Sequence, residues 1–272
     1  MGIIEFARSP WGQVVPIHVF FYLVYVAVIA ALVFFMGHVV FVRYFAKKEV
    51  FEGSTPASEV AKLPAQIKRH SLPARLFHLV QAGAMFVLLF SAFLPKVGVR
   101  FEWLQWHWIA GVVLTASIIF HIIHASFFMD FWAIWPDKID IQDAMRRWKR
   151  AQGESAPPPR RFGKYPLENK MYHLAIFFAG LSVTITGFFM LFRIRTPLFT
   201  RNSYMFGDMT TGLMYTLHGL AGVGLIALIM IHVYFALRPE KLVISKSMVF
   251  GTLDREHYVQ HHDPKRWAPE TE

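Results

Sequence analysis

The sequence contains no cysteine. That absence removes disulfides, cysteine-held iron–sulfur clusters, thioether-attached haem and thiolate nucleophiles together. Any metal has to be held by His, Met or carboxylate side chains. Charge is scarce as well. Asp, Glu, Lys and Arg make up 17% of the 272 residues, against about 25% in a soluble domain. What fills the space is apolar. Hydrophobic residues reach 55%, with 27 Phe alone, which excludes a disordered or collagen-like chain and an ordinary soluble enzyme.

Five apolar stretches are long enough to cross a bilayer, since about 20 residues suffice at roughly 1.5 Å each. They are Val14–Val42, Leu72–Pro95, Trp103–Met129, Tyr172–Phe192 and Leu213–Leu237. Their one charged residue, Arg75, stands close to a span end. The first stretch is too long for a signal-peptide core, and no small-residue cleavage site follows it, so it is expected to be retained. The fold expected is all-α, an integral membrane helical bundle of five transmembrane helices.

The net charge of +10 has a definite address. The loop Arg43–Arg75 carries Lys47, Lys48, Lys62, Lys68 and Arg69. The loop Asp130–Lys170 carries Arg146, Arg147, Arg160, Arg161 and Lys164, and the tail after Leu237 adds Arg255, Lys265 and Arg266. Five crossings put these three segments on one side. The positive-inside rule makes that side cytoplasmic and the N-terminus periplasmic, in a bacterial inner membrane. The basic balance is thus explained by lipid topology, and no nucleic-acid partner is expected. Residues 46–71 read as a polar connector and 238–272 as a polar tail free to dock. Asp140–Gln152 reads as an interfacial helix, with Ile141, Met145 and Trp148 along one side, ended at Ala156–Pro159. No separate soluble domain is expected.

Thirteen His remain to be explained. Ionisable groups at bilayer depth are costly and tend to mark function. His218 and His232 stand fourteen residues apart in the fifth span. That spacing returns to one helix face about 21 Å further along the axis, which suits two haems, one near each membrane face, each held by neutral imidazoles. Partners must come from other spans at matching depth. His107 opens the third span as His218 opens the fifth. His78 lies as far inside the second span as His232 lies from the end of the fifth. Depth therefore pairs His107 with His218 and His78 with His232. His121, fourteen after His107, competes with His78, and depth does not choose between them. Arg75, one turn before His78, is placed to meet a haem propionate. Gly111 and Gly222, each four residues after a ligand candidate, leave room for a flat macrocycle. His18 and His38 read as ordinary helix-end residues, and His124, His257, His261 and His262 as surface residues.

From the second span onward the sequence carries Arg75-x-x-His78, His107-x-x-x-Gly111, Pro136-Asp137-Lys138-x-Asp140-Ile141, Gly163-Lys164-Tyr165, Thr186-Gly187, His218-x-x-x-Gly222, Ile231-His232, His261-His262 and Arg266-Trp267, in that order. In these motifs the chain resembles the gamma subunit of respiratory formate dehydrogenase, a membrane diheme cytochrome b. Nickel–iron hydrogenase and thiosulfate reductase cytochromes are related to it. It covers Leu72–Trp267. The resemblance implies a four-helix diheme core over 72–237, with an added N-terminal helix within 1–45. It implies two b-type haems on His78, His107, His218 and His232, and no ligand at His121. It further implies an iron–sulfur subunit and a catalytic subunit (a molybdopterin enzyme or a hydrogenase) as partners, and a quinone handled near the cytoplasmic face. The family's quinone-site Asn, directly after Gly-Lys-Tyr, is replaced here by Pro166, which offers no side-chain hydrogen bond. Glu168, Asn169 and His173 are the substitutes in reach, Asn169 also being placed to cap the fourth span. The chain on its own is expected to move electrons rather than oxidise formate. Two other readings stand beside this one. One is a stand-alone cytochrome b561-like oxidoreductase, and the other a haem-free membrane anchor or transporter-like scaffold.

Overall fold

A computed structural model describes residues 2–46 and 49–269. Lys47 and Lys48 of the basic connector, Met1, and residues 270–272 of the tail lie outside the described residues. In chain order the elements are β1 (Ile4–Arg8), β2 (Val14–Val19), α1 (Tyr22–Tyr44), α2 (Ala57–Val60), β3 (Gln66–Lys68), α3 (Leu72–Phe93), α4 (Trp103–Phe128), α5 (Lys138–Ala151), α6 (Leu167–Met190), α7 (Asp208–Leu237), α8 (Leu242–Phe250), β4 (Thr252–Asp254) and α9 (Arg255–His261). Among the described residues, α1, α3, α4, α6 and α7 are long and apolar enough to cross a membrane. The molecule is a helical membrane bundle. The helices are apolar all round, as lipid-solvated helices are, and side chains such as Ile29, Val33, Leu79, Phe178 and Leu217 stand exposed.

The chain divides into two compact units. The first comprises residues 1–38, 77–120 and 175–232. It begins with a feature the apolar count conceals. Val14–Val19 is not part of the first span but a strand, paired antiparallel with Ile4–Arg8 around a turn at Gly12 (φ 82°). The run Val-Val-Pro-Ile-His-Val is rich in β-branched residues, and Pro16 sits beside the register shift at Glu5/Phe6, where a missing N–H is tolerated. His18 belongs to this strand and faces Glu5 at 3.4 Å. The hairpin rests on α7. A Cβ on Gly212 would lie 2.0 Å from the Pro16 carbonyl oxygen, and one on Gly219 would lie 2.9 Å from Val19. Seven residues bring both glycines to one helix face; the backbone contact requires glycine at 212, and at 219 the Val19 side chain fills the space.

The second unit comprises residues 39–76, 121–174 and 233–272. The connector, the second loop and the tail are each too short for a core, yet together they build one. β3 pairs antiparallel with β4, and Ile67, Leu253 and Tyr258 are fully buried between Leu63, Val243, Val259 and Trp267. The polar tail therefore folds rather than hanging free. α5 starts at Lys138 because Asp137 and Asp140 form a reciprocal capping box. It ends at Gly153 (φ 84°), three residues before the Ala156–Pro159 stop read from sequence. Ile141, Met145 and Trp148 are exposed on it. Asp140 then takes a second task. Its carboxylate accepts from the buried Lys170 at 2.6 Å and from Arg266 at 2.8 Å. Burial pushes the Asp140 carboxyl up, but these partners outweigh it and hold it below its ordinary value. α6 starts at Leu167, where the Pro166 carbonyl accepts from Asn169 and Lys170. Asn169 is thus inside the first turn and is not the cap. His262 is buried rather than on the surface, and its Nδ1 meets the Gly163 carbonyl at 2.6 Å.

Candidate haem-binding site

The first unit brings four of the candidate histidines into two facing pairs. The ring centres of His107 on α4 and His218 on α7 are 6.1 Å apart. Those of His78 on α3 and His232 on α7 are 6.3 Å apart. Two imidazoles that bind one metal from opposite sides need about this separation: a bond of about 2 Å and about 1 Å from nitrogen to ring centre, each counted twice. Both pairs have room for one iron and for nothing larger along that line.

The surroundings decide which nitrogen is presented. Ser91 on α3 sends its hydroxyl proton to the Val87 carbonyl at 2.6 Å, while its oxygen lies 2.9 Å from His107 Nδ1. Thr186 on α6 repeats the arrangement, with the Ser182 carbonyl at 2.5 Å and His218 Nδ1 at 2.9 Å. Each hydroxyl has one proton, and the helix carbonyl takes it. The oxygen can then only accept, so each Nδ1 carries the proton and donates. The Nε2 lone pair is left for a metal, in the orientation that ligating histidines need. Gly187 makes this possible at His218. A Cβ there would stand 3.2 Å from the imidazole Cε1.

The glycines four residues after His107 and His218 behave differently from one another. A Cβ on Gly222 would meet nothing within 4 Å, whereas one on Gly111 would touch Leu88 at 3.9 Å. Arg75, in the second unit, donates to the Val249 carbonyl and keeps a buried Nε without a partner among the described residues.

His121 does not take the place of His78 opposite His232. It faces His173 instead, at 6.4 Å between ring centres, within the second unit. His173 is half-buried and its Nδ1 has no partner among the described residues. The other two quinone candidates are unlike it. Glu168 is exposed and paired with Arg147 at 3.1 Å, and Asn169 is exposed in the first turn of α6. Sequence reasoning singled out Thr186-Gly187 without a role and missed Ser91 altogether. The available signal was a hydroxyl inside an apolar span.

The family profile of prokaryotic cytochrome b561 matches residues 69–251, more than half of the chain. The chain belongs to the prokaryotic cytochrome b561 family. It is therefore a multi-pass membrane cytochrome b with a b-type haem and an electron-transfer role, and the haem-free scaffold reading falls. The match leaves out β1, β2, α1, α2 and β3 of this cytochrome, and the segment beyond Gly251. A search of curated proteins returns no significant match.

Proposed function

We propose that this cytochrome b holds two haems and links an electron donor outside the membrane to the quinone pool. The observation that carries the reading is the pair of facing histidine pairs, at 6.1 and 6.3 Å, whose α7 members are fourteen residues apart. His107 and His218 would hold one haem, and His78 and His232 the other. When bound, each haem supplies a one-electron iron couple. The chain's own residues do the rest. With two imidazoles from the chain on each iron, no position would be left open for a substrate, an arrangement suited to electron transfer. The apolar helices keep water away, which favours electron transfer without proton loss at the site. About 21 Å of helix between the α7 ligands carries the path from one end of the bundle toward the other.

The resemblance to the formate dehydrogenase gamma subunit supports a respiratory complex. In it an iron–sulfur subunit and a catalytic subunit dock outside, and quinone is reduced toward the cytoplasmic face. His173 is the residue best suited to the quinone here. It has an unpartnered buried ring nitrogen able to meet a carbonyl oxygen, and His121 stands opposite to share a proton. The positive-inside distribution supports a periplasmic N-terminus and a cytoplasmic C-terminus. The family's description fits a second reading equally well, a stand-alone cytochrome b561-like oxidoreductase that needs no partner subunit.

The test is a reduced-minus-oxidised visible spectrum of the purified chain with its haem-to-protein ratio, followed by addition of a quinol analogue. Two b-haems per chain, at least one reduced by quinol, is the expected result. One haem removes the two-site reading, and two haems inert to quinol remove the quinone assignment. Co-purification from native membranes with an iron–sulfur protein separates the complex from the stand-alone enzyme.

A further inference from the structure

We propose that Ser91 and Thr186 are positioning residues that lower the redox potential of the His107–His218 couple, leaving the His78–His232 couple untouched. The proposal rests on the two-haem reading. It starts from the direction of the hydrogen bonds. Each hydroxyl proton is committed to a carbonyl one turn back, Val87 for Ser91 and Ser182 for Thr186. Both imidazoles must therefore donate from Nδ1, at 2.9 Å in each case. A ligand that donates its distal N–H to an acceptor gains electron density at the metal-binding nitrogen. That density stabilises the oxidised iron over the reduced iron, so the couple moves to lower potential. The change is one electron at iron, and the Nδ1 proton stays in place in both states.

Two details strengthen the effect. Ser91 is 1% exposed and Thr186 is 7% exposed, so both bonds lie where water does not compete for the donor. The two acceptors also come from separate helices and act on the two opposite ligands of one pair. Ser91 on α3 serves His107 on α4, and Thr186 on α6 serves His218 on α7. Their contributions on that iron should reinforce one another.

The experiment is a potentiometric titration of the haem-loaded protein, followed by visible and low-spin electron paramagnetic resonance spectra. It compares Ser91→Ala, Thr186→Val and the double variant with Ser91→Thr and Thr186→Ser. The expected result is one couple shifted to higher potential in each hydroxyl-free variant, further in the double, with the second couple unmoved and two haems retained. The hydroxyl-retaining variants should keep both the wild-type potential and the wild-type spectrum. If a hydroxyl-free variant sheds a haem, the retaining variants decide. Wild-type potentials in them support the proposal, and a shifted couple overturns it. Two haems with unmoved couples, or equal shifts in both, also overturn it. A haem-free wild-type protein overturns the two-haem reading along with it.

Discussion

Gly187 on α6 and His218 on α7 are in contact through the one position where glycine lacks an atom: a Cβ would reach the imidazole Cε1 at 3.2 Å. The neighbouring Thr186 fixes the same ring through Nδ1. Crowding this spot by one methyl forces the ring to give by a few tenths of an ångström. At about 1–3 kcal/mol for overpacking, Gly187→Ala should weaken haem retention at that pair roughly ten- to a hundredfold. Gly187→Val should remove that haem. Gly180→Ala, where a Cβ meets nothing within 4 Å, is the control. Haem transfer to apomyoglobin measures the loss, and equal rates in all three proteins would refute the packing argument.

The two facing pairs give a pattern of losses. His78→Ala and His232→Ala should each reduce the haem content from about two to about one, and so should His107→Ala and His218→Ala, each pair sparing the other's haem. His121→Ala should leave two. The separation at His121–His173, 6.4 Å, resembles the other pairs, so a third haem in the wild type, lost in this variant, would move iron to that pair.

Gly212 bears on the N-terminal hairpin. Any side chain there runs into the Pro16 carbonyl at 2.0 Å, and neither a helix backbone nor a strand backbone yields cheaply. Gly212→Ala should lower stability by about 1–3 kcal/mol or more and expose β1 and β2 to protease. Gly37→Ala, with open space around it, should be neutral or up to about 1 kcal/mol stabilising. Thermal unfolding in detergent distinguishes the two, and matching midpoints would show that the hairpin does not rest on α7 in solution.

The tail should respond to acid. Burial first, and then the positive charge of Arg69 with His257 and His261, push His262 down to about 3, against the opposing bond to the Gly163 carbonyl. Burial and its neighbours push His257 down to about 4. Unfolded, both imidazoles take a proton near 6.5. The unfolded tail therefore binds more protons across that interval. The stability these groups contribute is whole above pH 6.5 and is lost as the pH falls toward 3 to 4. Amide protection factors over residues 252–267, corrected for the intrinsic pH dependence of exchange, should fall between pH 7 and pH 4.5, and His262→Gln should flatten the change. Protection that stays constant over this range would contradict the burial of His262.

The spans were legible in the sequence because lipid solvates whole apolar runs, so composition over about 20 residues is enough. The pairing of His107 with His218 was legible because the rise of a helix is fixed, so depth follows from counting; for His232 depth left His78 and His121 as rivals, and only the resemblance favoured His78. Other features left weaker traces. Val14–Val19 merges into an apolar run that reaches Val42, and only Pro16 marks the boundary. Ser91 acts on a residue of another helix, and nothing local distinguishes it from the hydroxyls that serve only their own helix carbonyls. His262 reads as a surface residue until β3 and β4 are joined.

That joining sets an order of assembly. Gln66, in β3, is hydrogen-bonded to Asp254, in β4, across 188 residues of chain. Arg266, after α9, reaches back to Asp140. Both pieces follow every apolar span in chain order, so they are made after those spans. A chain released early would carry its helices but leave Ile67 uncovered and Lys170 with less of its charge network. The core around Ile67, Leu253 and Tyr258 therefore closes only when the segment that follows the last span is in place.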